Sequence, residues 1–322
     1  MKPANLFMFV ILGILIVQCN STKSYLNKRN IDFNEGWRFL EDSTISAIEA
    51  YFDDSKWRIV NLPHDWSVED FPVQDSLHIG PFYKAMQGGH DVGYLRGGTG
   101  WYRKKFMLKP KDADKQMYIY FDGVQVEMTL WVNSKEVGNH VYGYTPFYFN
   151  ITPFLNAPGE ENQVTVKVVK PEQNSRWFTG AGIYRSVSLQ MLNPVHVDIW
   201  GVSVVTSSLS QAQAEIDLTV SVVNQLETDI NIIIKSELLG TDGAKIAMSE
   251  KEGLVPEKGS AEFELSLQVD NPKHWDTESP NLYKAVITVL QEGNEVDQCV
   301  QTFGIRTIKF SAEKGFLLNG KP

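Results

Sequence analysis

From about Ile31 onward, apolar and polar positions alternate in short runs rather than recurring at helical spacing. Met117 to Phe121, Met128 to Val132 and Gln163 to Val169 are rich in β-branched and aromatic residues, and several of their positions repeat with period two. Asp122-Gly123, Asn133-Ser134 and Ala157-Pro158-Gly159 bound these runs with turn chemistry. Helical periodicity shows only weakly, near Ile45–Phe52. Trp, Tyr and Phe crowd the stretch from Trp37 to Trp177. An all-β, aromatic-rich antiparallel sandwich is the expectation for this first region.

A second region begins near Pro194. Ala214 to Val222 and Glu262 to Val269 alternate strictly, Ile230, Ile232 and Ile234 mark a third strand, and Tyr283 to Leu290 a fourth. Gly240-Thr-Asp-Gly243 and Gln291-Glu-Gly-Asn294 supply turns between them. Short strands at this spacing predict an immunoglobulin-like sandwich, without the cysteine pair and core tryptophan of antibody domains. The tail does not fit that sandwich. Phe316-Leu317-Leu318 reads as a short strand, Asn319-Gly320 as a tight turn, and a further strand would have to follow Lys321-Pro322.

The amino terminus changes the picture of compartment. Lys2 precedes an unbroken uncharged run from Leu6 to Val17, shorter than the roughly 20 apolar residues of a spanning helix. It reads as an export signal, placing the mature protein in a bacterial periplasm or on an outer membrane. Cys19 follows this run directly and resembles the cysteine of a lipobox, although Gln18 stands where that pattern wants a small residue. Cys19 is therefore a candidate lipidation site and lipid anchor; the alternative is ordinary signal cleavage with Cys19 lost. Cys299, the other cysteine, has no partner in a mature chain and sits in an apolar strand pattern, so a disulfide framework is excluded.

Composition narrows the partner. Net charge is −9 with no Lys/Arg block, which argues against nucleic acid and is compatible with a sugar. No metal-ligand cluster, nucleophile elbow or phosphate loop is present, and no cofactor is implied.

The residues that carry identity come in series. Leu62-Pro63-His64-Asp65-Trp66 is followed by Gly97-Gly98-Thr99-Gly100-Trp101-Tyr102-Arg103, by Phe121-Asp122-Gly123, by Trp131-Val132-Asn133, and by Gly143-Tyr144-Thr145-Pro146-Phe147. Then come Arg176-Trp177-Phe178-Thr179-Gly180-Ala181-Gly182-Ile183-Tyr184-Arg185, Trp275 with Pro280-Asn281-Leu282-Tyr283, Phe303-Gly304-Ile305-Arg306, and Phe316 to Pro322. In this order, from about Asp32 to the last residue, the set resembles glycoside hydrolase family 2, especially its bacterial β-galactosidases.

That resemblance implies a jelly-roll, galactose-binding-like sandwich over residues 32–193, an immunoglobulin-like sandwich over 194–307, and the opening of a (β/α)₈ barrel over 308–322, after a signal at 1–19 and a linker at 20–31. The barrel itself, about 250 residues in such folds, is expected to be truncated here. It also implies retaining hydrolysis of terminal β-linked sugars by two carboxylates about 5–5.5 Å apart. Neither is expected in this chain: Asn34-Glu35 and Asn294-Glu295 look like the family's Asn-Glu acid/base pair but stand at a sandwich opening and in a hairpin turn. The rival reading is a stand-alone carbohydrate-binding or adhesion protein made of the same two sandwiches.

Four residues are candidate sugar contacts. His64-Asp65-Trp66 offers a base, an acid and a ring; His64 and Trp66 read as structural and Asp65 as a polar contact at the sugar site. Arg176 stands where some family members carry an Asp that touches the sugar or a nearby ion. A guanidinium fork suits hydroxyls or a carboxylate, so Arg176 reads as a sugar contact or as a salt bridge between domains, while the ion is left without its carboxylate. His90 and Asp91 lie in a stretch punctuated by Gly80, Gly88, Gly89, Gly93, Gly97, Gly98 and Gly100, a loop that the family places toward the barrel mouth. The resemblance implies a galactoside as the substrate, with glucuronide and mannoside as the alternatives that share this front end.

Overall fold

The computed structural model describes residues 29–172 and 180–322; Cys19, the export segment and Arg176 lie outside the described residues. The first domain contains, in chain order, β1 (Asn30–Asp32), β2 (Trp37–Glu41), β3 (Arg58–Val60), β4 (His78–Ile79), β5 (Phe82–Tyr83), β6 (Gly98–Met107), β7 (Gln116–Phe121), β8 (Glu127–Val132), β9 (Lys135–His140), β10 (Phe147–Asn150), β11 (Glu161–Lys170) and β12 (Val187–Leu192). They form a four-stranded sheet, β1-β12-β7-β10, and a six-stranded sheet, β3-β2-β6-β11-β8-β9, packed as a jelly-roll sandwich.

Period-two alternation explains the core between the sheets. Met117, Ile119 and Phe121 of β7 face Val164, Val166 and Val168 of β11 together with Leu130, Trp37 and Tyr102, and all are buried. The strand-joining dipeptides take the conformations their chemistry favours. Asn133 and Ser134 both adopt positive φ between β8 and β9, which suits the right-handed twist of a tight hairpin.

The segment with weak helical periodicity is not helical: residues 42–57 run without regular structure across the outer face of the six-stranded sheet. There Ala47 and Trp57 pack on Trp101 and Trp131, with Ile45, Ile48 and Phe52 around them. The apparent helical spacing reflects apolar residues that must reach a second, smaller core. Arg103, fully buried beneath the segment, holds it in place. Its Nε pairs with Asp54 at 2.8 Å, and its remaining donors reach the carbonyls of Ala47, Glu49 and Ala50 and the Thr165 hydroxyl.

The second domain contains β13 (Val195–Leu209), β14 (Gln213–Asn224), β15 (Ile230–Leu239), β16 (Lys245–Val255), β17 (Ser260–Asp270), β18 (Tyr283–Gln291) and β19 (Asn294–Phe303). The sheets are β13-β14-β17 and β16-β15-β18-β19, a three-on-four immunoglobulin-like sandwich. Cys299 is buried here, and burial pushes its thiol up to about 12, as befits an inert packing group. Beyond it, β20 (Ile308–Ser311) and β21 (Gly315–Leu318) form a hairpin. Asn319 and Gly320 then turn at positive φ so that Leu318 bridges Lys321.

The two domains meet at buried polar contacts. Arg29 pairs with Asp297 at 3.8 Å and donates to the Val197 carbonyl, while Asp297 accepts the Val197 amide at 2.8 Å. Asn193 bridges Lys115 of the first domain and the Val296 carbonyl of the second.

Candidate functional site

The His64-Asp65-Trp66 run sits at one end of the six-stranded sheet. After a cis Leu62–Pro63 peptide, Asp65 adopts extended backbone and opens a single 3₁₀ turn, Trp66–Val68. One carboxylate oxygen, Oδ1, accepts the Ser67 amide at 2.9 Å and the Ser67 hydroxyl at 2.6 Å. Both bonds orient the carboxylate, and its second oxygen is left without a hydrogen bond among the described residues. Trp66 is buried against Phe39 and closes on the backbone of Gly100, where a Cβ would stand 2.6 Å from the indole. The Gly-Thr-Gly run is required there by close approach, not only by turn geometry.

His64 is structural in its contacts. Its amide donates to the Ile183 carbonyl at 2.8 Å, its Nδ1 meets the Tyr102 hydroxyl at 2.7 Å, and its Nε2 meets Glu69 at 3.1 Å. Burial holds the imidazole below its ordinary pKa, with the Glu69 charge opposing. Arg58 Nη2 stands 3.1 Å from the same Nε2 and itself pairs with Glu69, so the ring is one member of a His64–Arg58–Glu69 cluster.

Around this turn lies a ring of charges. Arg58 pairs with Glu69, and Arg96 pairs with Glu41 at 3.1 Å while donating to the Glu69 carbonyl. Arg96 also lies over the Phe71 ring, 4.6 Å from its centre. Burial raises the Glu41 carboxyl, and Arg96 opposes that rise. Lys170 is buried and donates to the Arg96 carbonyl at 3.0 Å; burial lowers its pKa, and the nearby Asp65 charge opposes the fall. Gly97 abuts the backbone of Lys170 and Glu172, so the glycine-punctuated loop and the end of β11 lie side by side.

His90 and Asp91 take a different position. They lie in the 3₁₀ turn Gly89–Val92, with side chains 83% and 56% exposed, and pair with each other at 2.9 Å. The loop beneath them is built rather than loose. Met86, Val92 and Leu95 are buried, Tyr83 and Tyr94 share a backbone hydrogen bond, and Gly88, Gly89 and Gly93 take positive φ. Asp65 thus joins the charged ring, and His90 with Asp91 forms a separate exposed pair.

Sequence reasoning passed over Lys170, Glu41, Glu69 and Arg96. Lys170 carried a signal: it occupies the position in phase with Val164, Val166 and Val168, where burial is expected and a charge is not. Among the described residues, no three His, Cys, Asp or Glu side chains gather to hold a metal ion.

The model for the sugar binding domain of glycosyl hydrolases family 2 matches residues 31–193, and the model named for glycosyl hydrolases family 2 matches residues 195–306. The chain belongs to glycosyl hydrolase family 2. It is similar to β-galactosidase BoGH2A of Bacteroides ovatus, 36% identical over 304 residues, covering 94% of this chain and 34% of the relative. A β-glucuronidase of Formosa agariphila is 28% identical over 311 residues, with 90% and 31% covered. A family 2 structure from Bacteroides cellulosilyticus superposes with a TM-score of 0.86 at 36% identity, covering 91% of this chain and 37% of that one. The chain spans about a third of the length of these relatives and corresponds to their N-terminal part.

Proposed function

We propose that these two sandwiches serve a retaining glycoside hydrolase that removes terminal β-linked galactose. In this reading the two catalytic Glu residues come from a (β/α)₈ barrel outside these domains, and the first sandwich presents Asp65 and Arg176 to the sugar. His90 and Asp91, a separate exposed pair, would meet the substrate only through the loop that the resemblance places toward the barrel mouth. The observation that carries the choice of sugar is the pairing of the charged ring. Arg58 and Arg96 are engaged by Glu69 and Glu41, and Lys170 is turned to a backbone carbonyl. Among the described residues this lip presents an oriented carboxylate, suited to accept hydrogen bonds from hydroxyls, while Arg58, Arg96 and Lys170 are engaged within the protein; Arg176 is read here as a donor to the same hydroxyls. The resemblance to BoGH2A, named a β-galactosidase, points the same way.

The test is a panel of aryl β-galactoside, β-glucuronide and β-mannoside offered to the full-length parent enzyme and to this chain alone. The parent is expected to prefer the galactoside, and the chain alone to turn over none of the three. Preference for the glucuronide would reject the sugar assignment. Turnover by the chain alone, in a host lacking its own galactosidase, would place the chemistry within these sandwiches. Export with lipidation at Cys19 belongs to the same proposal: wild-type protein is expected to partition into detergent and take up labelled fatty acid, and Cys19→Ala to do neither.

A further inference from the structure

A cleft of about 700 Å³ opens where the two domains meet, within the size range of small-molecule sites. One side is the outward face of the four-stranded sheet, where Tyr120 and Tyr148 pair across β7 and β10. The other is a bulge in β13 between Val197 and Val202, where the register with β14 shifts. The bulge is tightly built, since a Cβ on Gly201 would stand 2.7 Å from the Ser221 carbonyl. It lifts Trp200 out of the second domain and over the first. The indole stands nearly perpendicular to Tyr148 at 4.8 Å and to Tyr120 at 6.2 Å, yet remains 58% exposed.

Polar groups converge around this ring. Asp32, Asp122, Asp198 and Gln301 line the cleft. Asp32 is held by Asn34, and Asp198 accepts the Ile199 amide, so both carboxylates are oriented. Asp122 makes no ion pair among the described residues; Arg185 reaches only its backbone carbonyl. The one cation in the lining, Arg29, is paired with Asp297. The cleft thus combines a partly open aromatic surface, hydrogen-bond acceptors and an acidic balance. An indole face attracts the polarised C–H bonds of a sugar ring, and carboxylates accept from its hydroxyls. The acidic balance disfavours uronic acids.

We propose that this interdomain cleft is a second carbohydrate-binding site, taking a neutral glycan with one sugar face on Trp200 and its hydroxyls on Asp122 and Asp198. The proposal does not depend on which glycoside the enzyme hydrolyses. A neutral glycan held here would keep the enzyme on a polymeric or branched substrate.

The test is calorimetric titration of the chain with lactose, with glucuronic acid as the charged control. Lactose is expected to bind saturably and glucuronic acid more weakly. Trp200→Ala should weaken lactose by about tenfold, and Trp200→Phe by less, because a smaller ring still stacks. Should Trp200→Ala loosen the domain junction, Asp122→Asn carries the test, with an expected loss of about threefold from one weakened hydrogen bond. Unchanged lactose affinity in Trp200→Ala and Asp122→Asn would overturn the proposal, as would equal affinity for glucuronic acid. So would full protection of Trp200 from acrylamide in ligand-free protein, since the chain itself would then fill the cleft.

Discussion

In the second domain, buried positions on β14 and β17 alternate with exposed or half-buried ones from end to end: Ile216, Leu218, Val220 and Val222 against Phe263, Leu265, Leu267 and Val269. In the first domain, the six-stranded sheet is covered on both faces. Thr165 and Arg103 are buried on the outer side, as Val164 and Tyr102 are on the inner. On the inner side the in-phase position after Val168 is Lys170. On these two strands the second sandwich follows plain alternation around a packed core. The first departs from that rule where it covers its outer face and where it gathers charges around Asp65. Departures from the pattern mark what the domain does beyond folding.

Breaking each domain by its own weak point should separate them. Arg103→Ala removes one partner of a buried ion pair and strands Asp54 with only Arg38, 3.4 Å away. A loss of about 3–5 kcal/mol is expected. Urea unfolding followed by hydrogen exchange should show the loss in first-domain strands and leave β14 and β18 protected. A uniform loss across both sandwiches would mean that they unfold as one unit. Ile287→Ala in β18 is the mirror experiment. It empties a fully buried site and should cost about 2–5 kcal/mol, read in second-domain amides.

A smaller effect probes the lip. Gly100→Ala forces a methyl against the Trp66 and Phe39 rings and should destabilise the first domain by about 1–3 kcal/mol. It should also disturb the Asp65 turn, visible as a change in Trp fluorescence that Ile287→Ala does not produce.

Acid sharpens the same contrast. His64 and His196 are both held below the ordinary value of 6.5, each chiefly by burial. Their folded pKa is depressed, so the stability they contribute is complete above 6.5 and is lost as pH falls through their folded values. His64 lies in the first domain and His196 at the junction. Melting below pH 6.5 should therefore weaken the first domain and the junction before the second core. His64→Gln should flatten the first-domain dependence; an unchanged pH profile in that variant would remove His64 as its source.

The strands, the tandem sandwiches and the family were legible because period-two patterns and turn dipeptides are local. Ala214 to Val222 declared itself, and so did Asn133-Ser134. The weak helical spacing near Ile45–Phe52 carried no helix because it answers to a surface built by Trp101 and Trp131, residues far along the chain. The charged ring stayed hidden for the same reason. Glu41, Glu69, Arg96 and Lys170 come from four separate stretches, and only their convergence gives them meaning. Asp65 was visible through its motif, but its orientation by Ser67 was not.

The most direct test of Asp65 as a sugar contact is the kinetics of Asp65→Asn in the full-length parent on an aryl β-galactoside. The amide oxygen of Asn can still accept the Ser67 amide and hydroxyl, so the 3₁₀ turn keeps its cap while the charge is lost. A charge-assisted hydrogen bond contributes about 1.5–3 kcal/mol, so kcat/KM should fall by about tenfold to a hundredfold at an unchanged melting temperature. If kcat/KM instead stays at the wild-type value, Asp65 is a turn cap alone and the first sandwich does not reach the substrate through this lip.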